Sequence, residues 1–265
     1  MKEQSSTQFA VVTGASSGIG LELARLFARS GHDLMVAADD DGITAAADSL
    51  RGEGAKVDAV QVDLATREGM EELCRRIDAS GRPVDALALN AGVGLGGAFL
   101  DNALEDELRL IQLNVVSVVH VAKHVLTRMA ARNEGRVLFT SSIAAESPHP
   151  FLAVYAASKS FVQSFAEAIR NELKDTNIVI TALQPGATET NFFARADMED
   201  TAVAQADKMD PADVARAGFD ALMKGKDHVI SASKMERAQV IMGHVTPQTV
   251  QAEQARKQTE PESAP

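Results

Sequence analysis

A single cysteine, Cys74, stands in a chain of 265 residues. It cannot form an intrachain disulfide, and no Cys/His ligand spacing accompanies it. That excludes a disulfide-stapled module and a cysteine-bound zinc site, and it suits a reducing compartment. Basic side chains are also in deficit, with 26 Lys and Arg against 37 Asp and Glu, a formal net charge of −11. Such a surface repels phosphate backbones, so nucleic acid is not an expected partner. No apolar run approaches the ~20 residues of a membrane span, and the polar stretch from Met1 to Gln8 lacks the charged-then-apolar order of a secretory signal. No membrane partner is expected, and the chain is expected to be soluble and cytoplasmic.

What is present is a core. Hydrophobic residues make up 45% and charged residues 24% of the chain, enough over this length for one sizeable domain. No linker or internal repeat divides residues 1–245, which read as a single domain. Residues 246–265 are rich in Gln, Thr, Glu and Pro. They read as a polar surface helix that frays into a partly disordered tail.

Short apolar or β-branched runs alternate with longer segments of helical period. They lie at Phe9–Thr13, Asp33–Ala37, Val57–Val62 and Val84–Leu89, and again at Arg136–Thr140, Ile178–Leu183 and His228–Ser231. Helices are expected between them, including a long one from about Leu104 to Ala131 and another from about Tyr155 to Leu173. This rhythm predicts an α/β fold: a single-domain, Rossmann-type, doubly wound parallel sheet of about seven strands with helices on both faces. Ligands of such sheets bind beyond the carboxyl ends of the strands, so residues at strand ends carry the function.

The first strand runs into Thr13-Gly14-Ala15-Ser16-Ser17-Gly18-Ile19-Gly20, and an amphipathic helix begins inside that loop. Glycines Gly14, Gly18 and Gly20 allow a tight turn, close approach of backbone to a pyrophosphate and close helix packing. Ser16, Ser17 and Ile19 join them as candidate cofactor contacts. Asp39 follows the second strand, where a carboxylate can bind an adenosine ribose diol and repel a 2′-phosphate. Strand alignment leaves either Ala38 or Asp39 at that position, while Asp40 and Asp41 read as solvated helix-capping charges. Asp63 and Leu64, just past the third strand, are placed for an adenine edge. Asn90, Ala91 and Gly92 end the fourth strand, with the glycine giving close approach and the asparagine fastening the strand.

Tyr155 and Lys159, four residues apart, project from one helical face, and Ser142 lies thirteen residues upstream at the end of the fifth strand. A phenol is a poor base at neutral pH, but a neighbouring ammonium lowers its pKa, and Lys159 is expected to supply that charge. His120 and His124 have the spacing of a zinc pair but lack the glutamate and a third ligand, so no metal is assigned. Glu146, His149, Phe151 and Leu152, between Ser142 and Tyr155, read equally as loop or as substrate contacts.

Together these motifs resemble the classical short-chain dehydrogenase/reductase family from about Gln8 to Ser231: TGxxxGIG at Thr13–Gly20, NAG at Asn90–Gly92, Ser142, YxxxK at Tyr155–Lys159, and PG at Pro185-Gly186. The resemblance implies an NAD(P)(H)-dependent oxidoreductase that interconverts a secondary alcohol and a carbonyl by hydride transfer, with Tyr155 as acid/base. It implies that Asn114 completes a catalytic set through a water-linked relay to Lys159, and that Thr188 and Thr190 contact the nicotinamide carboxamide. A homodimer or homotetramer is implied too, with the two long helices pairing across a two-fold axis. NADP(H)-using relatives carry basic residues where this chain has Ser17 and Asp39, so NAD(H) is expected to be preferred, with NADP(H) not excluded. The alternative from another class is a non-catalytic dinucleotide sensor of the same fold.

Overall fold

The computed structural model describes residues 7–243 and 245–261. Seven strands, β1 (Phe9–Thr13), β2 (Asp33–Ala38), β3 (Val57–Gln61), β4 (Ala86–Leu89), β5 (Gly135–Thr140), β6 (Ile178–Pro185) and β7 (His228–Ser231), form one sheet in the order β3-β2-β1-β4-β5-β6-β7. Every neighbouring pair is parallel. The expected fold is the observed one. Strand alternation sorts the two faces: in β1, Phe9 and Val11 point into one core and Ala10 and Val12 into the other.

Helices α1 (Gly18–Arg29), α2 (Gly42–Arg51) and α9 (Pro211–Met223) cover one face, and Phe27 meets Phe219 edge-on with centroids 5.1 Å apart. The other face is covered by α3 (Arg67–Ala79), α5 (Ser117–Arg132) and α6 (Ala153–Glu172). Local chemistry sets their limits. Thr66 caps α3 by accepting from the Gly69 N–H at 3.0 Å, Asp210 caps α9 ahead of Pro211, and α5 stops where Asn133 turns left-handed at φ 55°.

The expected long helix is α4 (Leu104–Ile111) joined to α5 through a π-turn at Gln112–Val116. The combined helix, Leu104–Arg132, is long and apolar enough by length and composition to cross a bilayer, although charged and polar residues interrupt its apolar runs. Its valines at 118, 121 and 125 are spent on the sheet instead. Short helices α7 (Phe192–Arg195) and α8 (Ala202–Gln205) follow β6. After β7 come α10 (Lys234–Gly243) and α11 (Gln248–Thr259). Residues 262–265 of the expected tail lie outside the described residues, whereas Ala255 and Thr259 of α11 are buried against the body.

Candidate active site

The strand ends β1 to β6 open on one cavity of about 920 Å³. It lies where the order reverses around β1, the position at which open α/β sheets hold ligands. The first turn of α1 faces it through Ser17, Gly18 and Ile19, so backbone N–H groups and the positive end of the helix are aimed where a pyrophosphate would lie. Gly14 has φ of +66°, and a Cβ there would stand 2.8 Å from the Ala91 backbone. At Gly20 a Cβ would meet the Gly14 carbonyl oxygen at 2.0 Å. Gly20 therefore lies beneath the loop and sets its shape, rather than contacting a ligand as expected from sequence.

Asn90 fastens this floor. Its Nδ2 donates to the Gly14 carbonyl at 3.3 Å, and its Oδ1 accepts from Thr140 Oγ1 at 3.2 Å, tying the loop after β1 to β4 and β5. Asp39 follows β2 directly, is exposed and lines the cavity beside Ser16, as does Ala38. Asp63 lines it too, with one oxygen accepting from Ala65 N–H and the other 2.9 Å from Arg109. Leu64 is a buried wall.

Asp40 departs from the solvated role expected of it. Its carboxylate accepts from Ser16 Oγ at 2.8 Å, Gly42 N–H at 3.0 Å and Arg195 Nη2 at 3.1 Å. Burial alone would raise its pKa, and the bonds from Ser16 and Arg195 outweigh that and hold the carboxyl below its usual range. Arg195, at the end of α7, thus ties the segment after β6 to the glycine loop. No sequence pattern marks this pair, whose members lie 155 positions apart.

Tyr155, Lys159 and Ser142 line the cavity together, the first two from α6 and Ser142 from the end of β5, where its hydroxyl favours the ionised phenol. Ser142 also caps the short 3₁₀ helix Ile143–Glu146 by accepting from Ala144 N–H at 3.1 Å, which fixes its rotamer. The Lys159 ammonium donates to the Thr140 carbonyl at 3.1 Å and lies 5.8 Å from the Tyr155 ring centroid. Burial pushes the phenol up to about 12, with Ser142 pulling the other way. It brings Lys159 down to about 8. Sequence had led us to expect the lysine charge to dominate and lower the phenol. Desolvation is the larger influence here because both groups are buried, Tyr155 in the apolar cluster that also holds Leu152, Phe193 and Ala196.

Asn114 sits in the π-turn behind Gly92. Its side chain donates to Val93 O at 2.9 Å and accepts from Val93 N–H at 2.9 Å, and it reaches Ser158 Oγ at 3.1 Å. Ser158 in turn donates to the Tyr155 carbonyl at 2.7 Å. A Cβ at Gly92 would lie 3.1 Å from both Asn114 Oδ1 and Lys159 Nζ, so the missing side chain is what brings the two polar groups to one spot. No direct bond joins them among the described residues. At the end of β6, Pro185 and Gly186 line the cavity, and Glu236 accepts from the Ala187 N–H at 3.0 Å. Thr188 Oγ1 donates to the Gly186 carbonyl at 2.9 Å. Thr190 faces Gly18 across the cleft and caps α7, accepting from Phe192 N–H at 3.2 Å.

Several lining residues were not predicted. His149 and Glu146, left open in the sequence, both face the cavity. His149 Nδ1 bonds the Ser147 carbonyl at 2.8 Å, and burial lowers its pKa, so the ring is neutral near pH 7. Met235, Met242 and Gln258, from the two C-terminal helices, complete the far wall.

With this geometry in hand, comparison with known proteins is direct. The family model for short chain dehydrogenases matches residues 8–201. A short chain dehydrogenase of Pseudocercospora fijiensis is 30% identical over 196 residues, 73% of this chain and 63% of that protein. The oxidoreductase UcpA of Salmonella typhimurium is 32% identical over 206 residues, 77% of this chain and 76% of that one. Among solved structures, a short-chain dehydrogenase from Sphingobium yanoikuyae in complex with NADPH superposes with a TM-score of 0.81 at 29% identity, covering 90% of this chain and 93% of that one. The chain belongs to the short-chain dehydrogenase family and is an oxidoreductase of that family.

Proposed function

We propose that this protein interconverts secondary alcohols and carbonyl compounds, with Tyr155 as the proton donor and acceptor. The observation that carries the reading is the enclosed trio of Ser142, Tyr155 and Lys159 at the substrate side of a cleft whose other side fits a dinucleotide. A bound nicotinamide dinucleotide supplies or takes the hydride. Gly14, Ser16, Ser17, Gly18 and Ile19 would hold its pyrophosphate, Asp39 its ribose diol, and Asp63 and Leu64 its adenine. Ala91, Gly92, Pro185, Gly186, Thr188 and Thr190 would line the nicotinamide end.

The Ser142 hydroxyl orients the reacting oxygen. Tyr155, kept protonated at neutral pH by its burial, gives its phenolic proton to the carbonyl oxygen in the reductive direction. Lys159 holds a positive charge beside the phenol that stabilises the phenolate left behind, and Asn114 fixes the backbone that carries both. NAD(H) is the favoured nucleotide, since a 2′-phosphate would meet the Asp39 carboxylate. Leu104, Leu108 and Phe161, exposed on the adjoining α4 and α6, support a homo-oligomer paired through those helices. Light scattering should give at least a dimer at micromolar concentration, and a monomer would remove this part of the reading.

The test is turnover of reduced nucleotide with a ketone panel, wild type against Tyr155→Phe. The variant keeps the ring and is expected to lose about two to four orders of magnitude in turnover with cofactor affinity unchanged. Retention of more than about a tenth of the rate, where chemistry limits it, would overturn the assignment of Tyr155.

A further inference from the structure

The far wall of the cavity lies beyond the matched part of the family, which ends at residue 201. It is made by α10 and α11, which are locked down at identifiable points. Thr259 Oγ1 donates to the Pro150 carbonyl at 2.6 Å, and the Arg256 guanidinium covers the Phe151 ring at 5.1 Å. Phe151 is held in the left-handed region at φ 61°, so this clamp acts on a strained loop, the one that carries His149 and Leu152. On the α10 side, the Glu236 carboxylate accepts from Ala187 and Ser233 N–H groups and anchors the helix to the turn after β6.

The chemistry of this wall is one-sided. Met235 and Met242 line the cavity and are also 67% and 61% exposed, so the mouth is rimmed by thioethers. Leu152, Phe193 and Met198 continue the apolar surface inward. The polar groups lining it from α11 are uncharged: the Thr259 hydroxyl, spent on Pro150, the Gln251 amide, whose Nε2 donates to the Gly243 and Thr246 carbonyls, and the amides of Gln254 and Gln258. Among the described lining residues the cations are Lys159, committed to Thr140, and Arg195, committed to Asp40. Five carboxylates, Asp39, Asp63, Glu146, Asp207 and Glu236, share the same cavity. Among the described residues, an anionic substrate would find no unpaired cation lining the far wall, since the Lys208 ammonium that stands over the Phe193 ring is paired with Glu189, and it would lie in a field set by these carboxylates and by the net charge of −11.

We infer that the substrate end takes bulky, neutral carbonyl compounds or alcohols and rejects carboxylates, and that the C-terminal helices α10 and α11 impose that choice. The inference rests on the carbonyl–alcohol reading above and adds the class of compound. Neutral ligands bury apolar surface against the methionine and phenylalanine wall and satisfy a distal polar group on the glutamines. A carboxylate at the same distal position loses hydration without gaining an ion pair.

The experiment uses three diaryl ketones of one shape: 4-benzoylbenzamide, 4-benzoylbenzoate and 4-benzoylbenzylammonium. Their dissociation constants are measured by calorimetry on the full chain saturated with oxidised nucleotide, which forms ternary complexes that cannot turn over. The amide is expected to bind at least tenfold more tightly than the carboxylate, about 1.4 kcal/mol, and more tightly than the ammonium. Gln258→Lys, and independently Met235→Lys at the exposed rim, are each expected to shift the amide-to-carboxylate ratio at least fivefold toward the carboxylate. A carboxylate bound within tenfold of the amide, a tighter ammonium, or no binding by any of the three overturns the inference. Turnover of the same ketones with reduced nucleotide is read separately. Tight amide binding without turnover would overturn the proposed reaction and leave the selectivity of the wall standing.

Discussion

Along the nucleotide half of the cleft, each lining side chain follows a strand by a few residues: Ser16 after β1, Asp39 after β2, Asp63 after β3 and Asn90 after β4. Along the substrate half the wall comes from a loop at His149 and Leu152, a four-residue helix at Phe193, and two C-terminal helices at Met242 and Gln258. The first half inherits its geometry from a continuous parallel ladder, so a shift of one residue there would disturb many hydrogen bonds at once. The second half is held by a few point contacts, Arg195 on Asp40, Glu236 on Ala187 and Thr259 on Pro150. Regions fastened by so few bonds open at lower free energy than the sheet beneath them. The rigid half can therefore hold a cofactor in one pose while the softer half adapts to what is brought to it.

The largest effect expected from breaking this contrast lies in the rigid half. Gly20→Ala puts a methyl 2.0 Å from the Gly14 carbonyl oxygen, a distance backbone cannot tolerate. Cofactor affinity, read by fluorescence titration, should fall by more than about 100-fold, equivalent to about 2.7 kcal/mol. An affinity within tenfold of wild type would mean that the loop is not held as described. Asp39→Arg should move the ratio of kcat/KM for NADH over NADPH at least tenfold toward NADPH, through removal of charge repulsion and gain of a phosphate partner. Equal use of both nucleotides by the wild type would remove Asp39 from the ribose site and leave the glycine loop untouched.

A pH profile sharpens the same contrast at the seam between the halves. Burial lowers Lys159 to about 8, so its ammonium is present below that pH and lost above it. Reductive kcat/KM should then fall toward tenfold per pH unit above about pH 8, and Lys159→Arg, which stays charged, should flatten that limb even at a lower absolute rate. The smallest effect belongs to the soft half. Thr259→Val removes the hydrogen bond to Pro150, worth about 1 kcal/mol. KM for a bulky ketone should rise about fivefold with the cofactor affinity unchanged, and a change confined to cofactor affinity would mean that α11 supports the wrong half.

The contrast also explains what could be read from sequence. The strand rhythm, the glycine loop and the Tyr155–Lys159 spacing are local patterns, and each was in place in the structure. Asp40 was misread because its partner, Arg195, comes from another element, after β6. The phenol of Tyr155 was expected to be lowered because spacing reveals the lysine but not the enclosure by Leu152 and Phe193. The role of α11 was hidden by composition. Gln, Thr and Glu mark a solvated helix, yet Ala255 and Thr259 give it one buried edge, too narrow a stripe for periodicity to register.

The π-turn at Gln112–Val116 divides the helix Leu104–Arg132 into two angular phases. A regular helix advances about 100° per residue, and a π-turn absorbs one extra residue. Removing one residue would close that segment into regular α-helix, so that α4 and α5 keep their phases while the residues inside the turn lose theirs. Asn114 would swing away from Val93 while the valines of α5 kept their seat on the sheet. The helix therefore has an intolerance to change of length that its exposed surface conceals. Within 112–116 it would accept substitution at exposed Val116 but not the loss of a residue, so length, more than side-chain identity, is what this turn must preserve.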